Sequence, residues 1–193
     1  MDLYSIIEWL AAIAGLINVY LLTRQTVLAW PAGLVSVFLY AFVFYHNRLY
    51  SDVVLHCIYV VINAYGWYHW THSGTPETGI PVTTFSNRVR GLLSISVLIL
   101  VAVWGYFMGQ NTQADFVYAD AFILIASLLA QYLMALKKLE NWILWIIVDV
   151  VAIVVYSQKA LIVTAVLYGV YLLLCILGYR NWSISLKKVQ IQT

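Results

Sequence analysis

Within one apolar run, Asn141 and Trp142 are followed by Trp145 and Asp149, and the last three stand at i, i+3 and i+7, one face of a helix. Two indoles beside a carboxylate can hold a flat, cationic small molecule. A ring face attracts a desolvated cation by roughly 2 kcal/mol, while the amide and the carboxylate orient it. An ionised side chain at the centre of a membrane costs about 2.5–3.5 kcal/mol on insertion scales, so Asp149 is expected on a wet cavity or beside a partner. The plainer alternatives are an interfacial tryptophan belt for Trp142 and Trp145, close to Lys137 and Lys138, and a hydroxyl neighbour for Asp149.

A second polar stripe is formed by Asp52, His56, Tyr59 and Asn63, at i, i+4, i+7 and i+11 of an otherwise apolar helix. Thr164, Tyr168, Tyr171 and Cys175 make a similar stripe later in the chain. Both suit a shared pathway, and both equally suit helix–helix hydrogen bonds of about 0.6 kcal/mol each. Asn18 and Gln131 are lone amides in apolar runs, placed to line the same cavity or to cross-link helices. Trp30 opens a further run as Trp30-Pro31-Ala32-Gly33, with proline in the tolerated first turn. Glu8, Asp120, His46, His69 and His72 read as boundary residues. The histidines form no metal motif, no cofactor is implied, and His56 with Asp52 lacks the nucleophile or third ligand that an intramembrane enzyme needs.

These residues sit in a chain of 193 residues that is 64% apolar, 16% aromatic and only 9% charged, with a mean hydropathy of +0.88. So few charges cannot coat a soluble globule, which excludes a soluble enzyme, a nucleic-acid binder and a disordered chain. A polytopic all-α membrane protein remains. Apolar runs fall near 4–22, 27–45, 50–70, 91–108, 116–136, 142–157 and 160–180, which predicts seven spans of about 20 residues each. Asp2 and Glu8 stand where a cleavable signal would be basic, so the first run is expected to remain. Cys57 and Cys175 both lie in apolar runs, against a structural disulfide.

Seven spans put Arg24, Arg88, Arg90, Lys137, Lys138, Arg180, Lys187 and Lys188 on one side, eight of the ten cations, and Arg48 and Lys159 on the other. The positive side is cytoplasmic, so the N-terminus is expected outside and the C-terminus inside. A shift of 112 residues aligns Tyr20 with Tyr132, Trp30 with Trp142, Leu49 with Leu161, Tyr59 with Tyr171, Gly66 with Gly178 and Trp70 with Trp182. Spans one to three then repeat as spans five to seven in the same direction, with span four between them, a 3+1+3 plan. The expected divisions are 1–70, a first three-helix repeat; 71–115, a loop and linking helix; 116–182, a second repeat; and 183–193, a cytoplasmic tail. Parallel repeats of this kind place a substrate site between the halves near the midplane. In this register Trp145 corresponds to Gly33, so one half offers an indole where the other offers space.

Leu49-Tyr50-Ser51-Asp52, Tyr65-Gly66-Trp67-Tyr68-His69-Trp70, Glu140-Asn141-Trp142-Ile143-Leu144-Trp145 and Gly178-Tyr179-Arg180-Asn181-Trp182 together resemble the PnuC family of bacterial vitamin transporters over nearly the whole chain. The resemblance implies an N-out, 3+1+3 fold like that of full-length SWEET transporters in the bacterial inner membrane. It also implies uptake of nicotinamide riboside by facilitated diffusion, with trapping by cytoplasmic phosphorylation. It carries site roles onto Asn141, Trp142 and Trp145, and less securely onto Asp52, His56 and Asn63. Similar transporters move thiamine or riboflavin, so the vitamin stays open, thiamine being the first alternative and riboflavin the second. The expected partners are this small molecule and the lipid bilayer, and exposed helix faces permit a homo-oligomer.

Overall fold

The computed structural model describes residues 3–48, 50–73, 79–112 and 115–192. Leu49 and residues 74–78 of the longest expected loop lie outside them. Seven helices account for most of the chain: α1 Leu3–Thr23, α2 Ala29–His46, α3 Tyr50–His72, α4 Asn87–Asn111, α5 Val117–Ala135, α6 Glu140–Gln158 and α7 Ile162–Gln192. In lipid, only helices and closed barrels satisfy every backbone polar group, so an apolar chain without barrel alternation has one solution.

Six of the seven helices are long and apolar enough to cross a membrane; α3 is not among them. Its polarity comes from the stripe already noted and from its His69 and His72 end. The other departure is α7, whose 31 residues continue through the segment expected as a tail. Nothing there breaks a helix, and Trp182, in its C-terminal half, is fully buried.

Six helices pack as a closed ring: α1 on α2, α2 on α3, α3 on α5, α5 on α6, α6 on α7, and α7 back on α1. Among the described residues α4 packs on α5 alone and stands outside the ring.

Positions 112 apart share backbone geometry. Gln25 and Lys137 have φ of 57° and 55°, and Arg48 and Ala160 have φ of 59° and 58°. A side chain in this left-handed region costs roughly 1–2 kcal/mol, so the turn must be held by its surroundings. Here the hold is the helix C-terminal motif itself. Thr26 N–H reaches Leu21 O and Gln25 N–H reaches Leu22 O; Lys138 N–H reaches Leu133 O and Lys137 N–H reaches Met134 O.

Tryptophans are equivalent too. A Cβ at Gly66 would lie 2.3 Å from the Trp30 ring, and one at Gly178 would lie 2.5 Å from the Trp142 ring. Each glycine is a seat for an indole. Trp30 meets Trp70 edge-on at 5.3 Å, and Trp142 meets Trp182 edge-on at 5.5 Å. Trp70 Nε1 donates to Ala135 O of α5 at 3.0 Å, while Trp182 Nε1 donates to Leu22 O of α1 at 2.9 Å. Each three-helix set is thus fastened to the first helix of the other at one end of the ring. Trp70 and Trp182 touch at 5.9 Å and complete a four-indole cluster there.

The segment before α4 is fastened to the same end. Thr83 N–H donates to Lys137 O and Thr83 O accepts from Leu139 N–H, while Glu140 Oε1 accepts from Phe85 N–H and Arg90 Nε, each at 2.8 Å. Lys137 Nζ donates to Ile80 O at 2.8 Å and lies 4.6 Å from the centre of the Trp70 ring. Burial pushes the Lys137 ammonium down to about 8.

Candidate functional site

The ring encloses a cavity of about 630 Å³. Helical periodicity builds its wall, because each helix turns one stripe inward. On α3 the stripe is Asp52, His56, Tyr59 and Asn63, and on α6 it is Trp142, Trp145, Asp149 and Tyr156. From α7 come Tyr168, Tyr171 and Cys175, and from α1 Gly15, Asn18 and Leu22. The floor lies at the tryptophan end, with Trp142, Met134 and Leu22. Asp52, Asp120 and Tyr156 mark the opposite end.

Of the residues singled out from sequence, Trp142, Trp145, Asp149, Asp52, His56, Asn63, Asn18, Gln131 and Tyr168 are brought to this one cavity. Trp30 and Asn141 are not among its lining residues. Trp30 is occupied by Gly66 and Trp70, as described. Asn141 is fully buried beside the turn, where its Nδ2 donates to Lys138 O at 2.5 Å and its Oδ1 has no partner.

Trp142 and Trp145 are not equivalent. Trp142 is 0% exposed, its ring packed over Gly178 and against Trp182, so it offers the cavity an edge. Trp145 is half-buried on the cavity wall. The space expected opposite it at Gly33 is filled: a Cβ there would lie 2.6 Å from Asn63 Oδ1 and 2.7 Å from Asn18 Nδ2. Asn18 Nδ2 also donates to Ala29 O at 2.7 Å. Gln131 Nε2 reaches Asn63 Oδ1 at 3.5 Å and links α5 to α3.

His56 Nδ1 lies 2.8 Å from Asp52 O. A carbonyl only accepts, so Nδ1 carries the proton and Nε2 is left as an acceptor in the neutral ring. Asp149 is 2% exposed; the Cys175 thiol faces its carboxylate, and Oδ2 is buried with no partner. Asp120, expected as a boundary residue, is both a lining residue and an ion-pair partner of Lys159 at 3.0 Å.

Two stripes were missed. On α2, Gly33, Ser36, Tyr40 and Phe44 line the cavity, and on α5 so do Asp120, Leu124, Ser127 and Gln131. Both keep the i, i+3 or i+4, i+7, i+11 spacing; Gly33, Asp120 and Gln131 were singled out one by one, and the apolar or weakly polar residues between them hid the stripes. Ser36 Oγ donates to Ala11 O at 2.8 Å. Trp104 and Met108 of α4 also reach the wall. No sequence pattern marked them. Among the described residues no group of three His, Cys, Asp or Glu could hold a metal ion, and both cysteines are free.

A ring of long helices around a largely apolar cavity that carries aromatic rings and a few polar side chains fits a small-molecule transporter of the multi-pass type. The chain belongs to the nicotinamide mononucleotide transporter family, whose model matches residues 5–184. It is 25% identical over 209 aligned residues to the nicotinamide riboside transporter PnuC of Escherichia coli, covering 95% of this chain and 87% of that one. It is 24% identical to the riboflavin/roseoflavin transporter RibM of Streptomyces davaonensis, over 88% of this chain and 81% of that one. The crystal structure of the vitamin B3 transporter PnuC superposes with a TM-score of 0.76 at 25% identity, covering 95% of this chain and 83% of that one. These relatives are transporters, not enzymes. The protein is a multi-pass transporter of the bacterial inner membrane.

Proposed function

We propose that this protein takes up nicotinamide riboside by facilitated diffusion, through a site between two three-helix repeats, and that cytoplasmic phosphorylation traps the product. The observation that carries the reading is the cavity itself. It joins an indole, Trp145, to a carboxylate, Asp149, and to amides at Asn18, Asn63 and Gln131. A pyridinium with a carboxamide and a ribose needs that set: a ring face and an anion for the charge, and amides for the polar groups. The name of the Escherichia coli relative supports the same cargo. Thiamine, also a flat cation, fits nearly as well; riboflavin, neutral and larger, fits less well.

The proposed architecture is 3+1+3, with repeats at 1–70 and 116–182 and α4 linking them. The shared turns, indole seats and crossed tryptophan hydrogen bonds support it. In this reading α3 is a span whose polarity belongs to the substrate path. The end bearing Arg24, Lys137, Lys138 and Arg180 faces the cytoplasm, which places the N-terminus outside. The site lies near the midplane, and the halves rock about it.

Flux of labelled nicotinamide riboside into proteoliposomes, without an imposed ion gradient, tests the function. Saturable uptake competed by unlabelled substrate is expected. Saturable thiamine or riboflavin flux with none of nicotinamide riboside would overturn the choice of cargo.

A further inference from the structure

Helix α4 belongs to neither three-helix set, and among the described residues it packs on α5 alone. Two of its side chains nevertheless line the cavity: Trp104 and Met108, one turn apart on the same helical face. On this side the seam between the two sets is α3 on α5, and α3 does not pack on α4. The cavity therefore extends through the seam as far as α4, where the Trp104 indole supplies wall that neither set provides. The opposite seam, α7 on α1, has no such added helix among the described residues.

The indole is held at a fixed height. Gly105 is buried, and a Cβ there would lie 2.4 Å from the Tyr118 ring, so α4 is seated on the first turn of α5 at the residue next to Trp104. A ring on a glycine, which seats Trp30 and Trp142 between helices of one set, here fixes the extra helix. It puts Trp104 at the end of the cavity marked by Asp52 and Asp120, away from the floor at Trp142. Trp104 also borders a second hollow, of about 240 Å³, whose other lining residues, Leu100, Val103, Leu124, Ile125 and Leu128, are all apolar. Only Trp104 and Leu124 line both spaces. Leu124 belongs to the ring of helices itself. Trp104 is the larger of the two, is 42% exposed, and is the partition that the outer helix contributes.

A cavity of this size selects its ligand by volume as well as by polarity, and a partition one side chain thick is where the volume is set. We propose that Trp104 is a specificity-determining residue: its indole closes the cavity at the α3–α5 seam and limits the flat ring system that enters, admitting a single pyridinium ring and excluding fused three-ring systems. This rests on the reading above that the cavity takes a flat vitamin, and it adds the residue that sets the size limit.

Calorimetry of nicotinamide riboside and riboflavin binding to the detergent-purified full-length protein tests the proposal. Trp104→Ala joins the cavity to the smaller hollow. Riboflavin affinity is expected to rise about tenfold or more. Nicotinamide riboside should weaken by no more than about fivefold, the worth of a cation–ring contact at an exposed site. Because the ring is partly exposed, the melting temperature should change little. Val103→Ala enlarges the smaller hollow alone and should leave both affinities unchanged. An unchanged ratio of the two affinities in folded Trp104→Ala would overturn the size limit. So would an equal shift in Val103→Ala, which would trace the change to the packing of α4. If Trp104→Ala does not fold, Trp104→Phe decides: its smaller ring should still raise riboflavin affinity, and no rise overturns the proposal. Wild-type protein that binds neither compound, or binds riboflavin the more tightly, would instead overturn the cargo reading on which the size limit rests.

Discussion

The three helices α1–α3 and the three helices α5–α7 share a skeleton and differ in what they show the cavity. Where they agree, the residues are structural: an indole seated on a glycine, a left-handed residue after the helix end, a tryptophan hydrogen-bonded across to the other set. Several of the residues in which they differ face the cavity. Asp149 stands against Val37, Trp145 against Gly33, Tyr168 against His56, and Cys175 against Asn63. Apart from Tyr59 and Tyr171, which match and both line the cavity, identity at these repeat-related positions marks what holds the ring, and divergence marks part of the cavity wall.

The largest expected effect separates two tryptophans that the helical spacing treats alike. Trp142→Ala empties a fully buried seat, and so does Trp30→Ala in the other half; each should cost roughly 3–5 kcal/mol of stability. Trp145→Ala removes a cavity wall instead. It should weaken nicotinamide riboside binding about tenfold with little change in melting temperature, since a desolvated cation–ring contact is worth roughly 1–2 kcal/mol. Melting of the three variants in detergent, with binding measured on those that fold, checks this. A stable Trp142→Ala with lost affinity would reverse the assignment.

A smaller effect tests the seats from the glycine side. Gly66→Ala and Gly178→Ala each drive a Cβ into an indole, at 2.3 and 2.5 Å, and should destabilise the protein by about 1–3 kcal/mol to similar extents. Gly169, also on α7, has nothing within 4 Å of an added Cβ. Gly169→Ala should therefore be neutral or gain up to about 1 kcal/mol from helix propensity. Unequal losses at Gly66 and Gly178 would break the equivalence of the halves.

Much of this was legible in the sequence. The helices lie close to the apolar runs because hydrophobic length is what a bilayer reads, and the polar stripes of α3 and α6, and that of α7 apart from Thr164, line the cavity. The helix ends were legible only as polar turns. The left-handed residues that close them are Gln25, Arg48, Lys137 and Ala160, with no glycine to announce them. Trp30 and Trp142 were beyond reach for a different reason. A tryptophan opposite a glycine looks the same in sequence whether the space is for a ligand or for the ring itself. Only the packing of α2 on α3, and of α6 on α7, decides it. The continuation of α7 was missed because a span is recognised by apolarity, and a helix does not stop where apolarity does.

The least effect is expected at the turn residues, where the halves agree in backbone and differ in side chain. Gln25 Nε2 donates to Ser185 Oγ at 2.8 Å, whereas its counterpart Lys137 is a nearly buried ammonium held by Ile80 O and the Trp70 ring. Burial lowers the Lys137 pKa to about 8 from an ordinary 10.5, so below pH 8 the lysine is charged in both folded and unfolded chains and its desolvation weighs on the fold. Between about pH 8 and 10.5 the folded protein gives up this proton while the unfolded chain keeps it. The unfolded state then binds more protons, and stability rises with pH. The carbonyl and the ring both favour the charged form and offset part of this, which leaves a rise of about 2–4 °C, the equivalent of roughly 1 kcal/mol in a chain of this size. Lys137→Gln installs the side chain type of the other half at the same left-handed position and should flatten the rise. Lys188→Gln, at an exposed site on α7, should leave it in place. Melting curves of wild type and both variants from pH 7 to 11 decide the point. An unchanged rise in Lys137→Gln would mean that the two turns differ in name only, and that neither side chain sets the strength of its clasp.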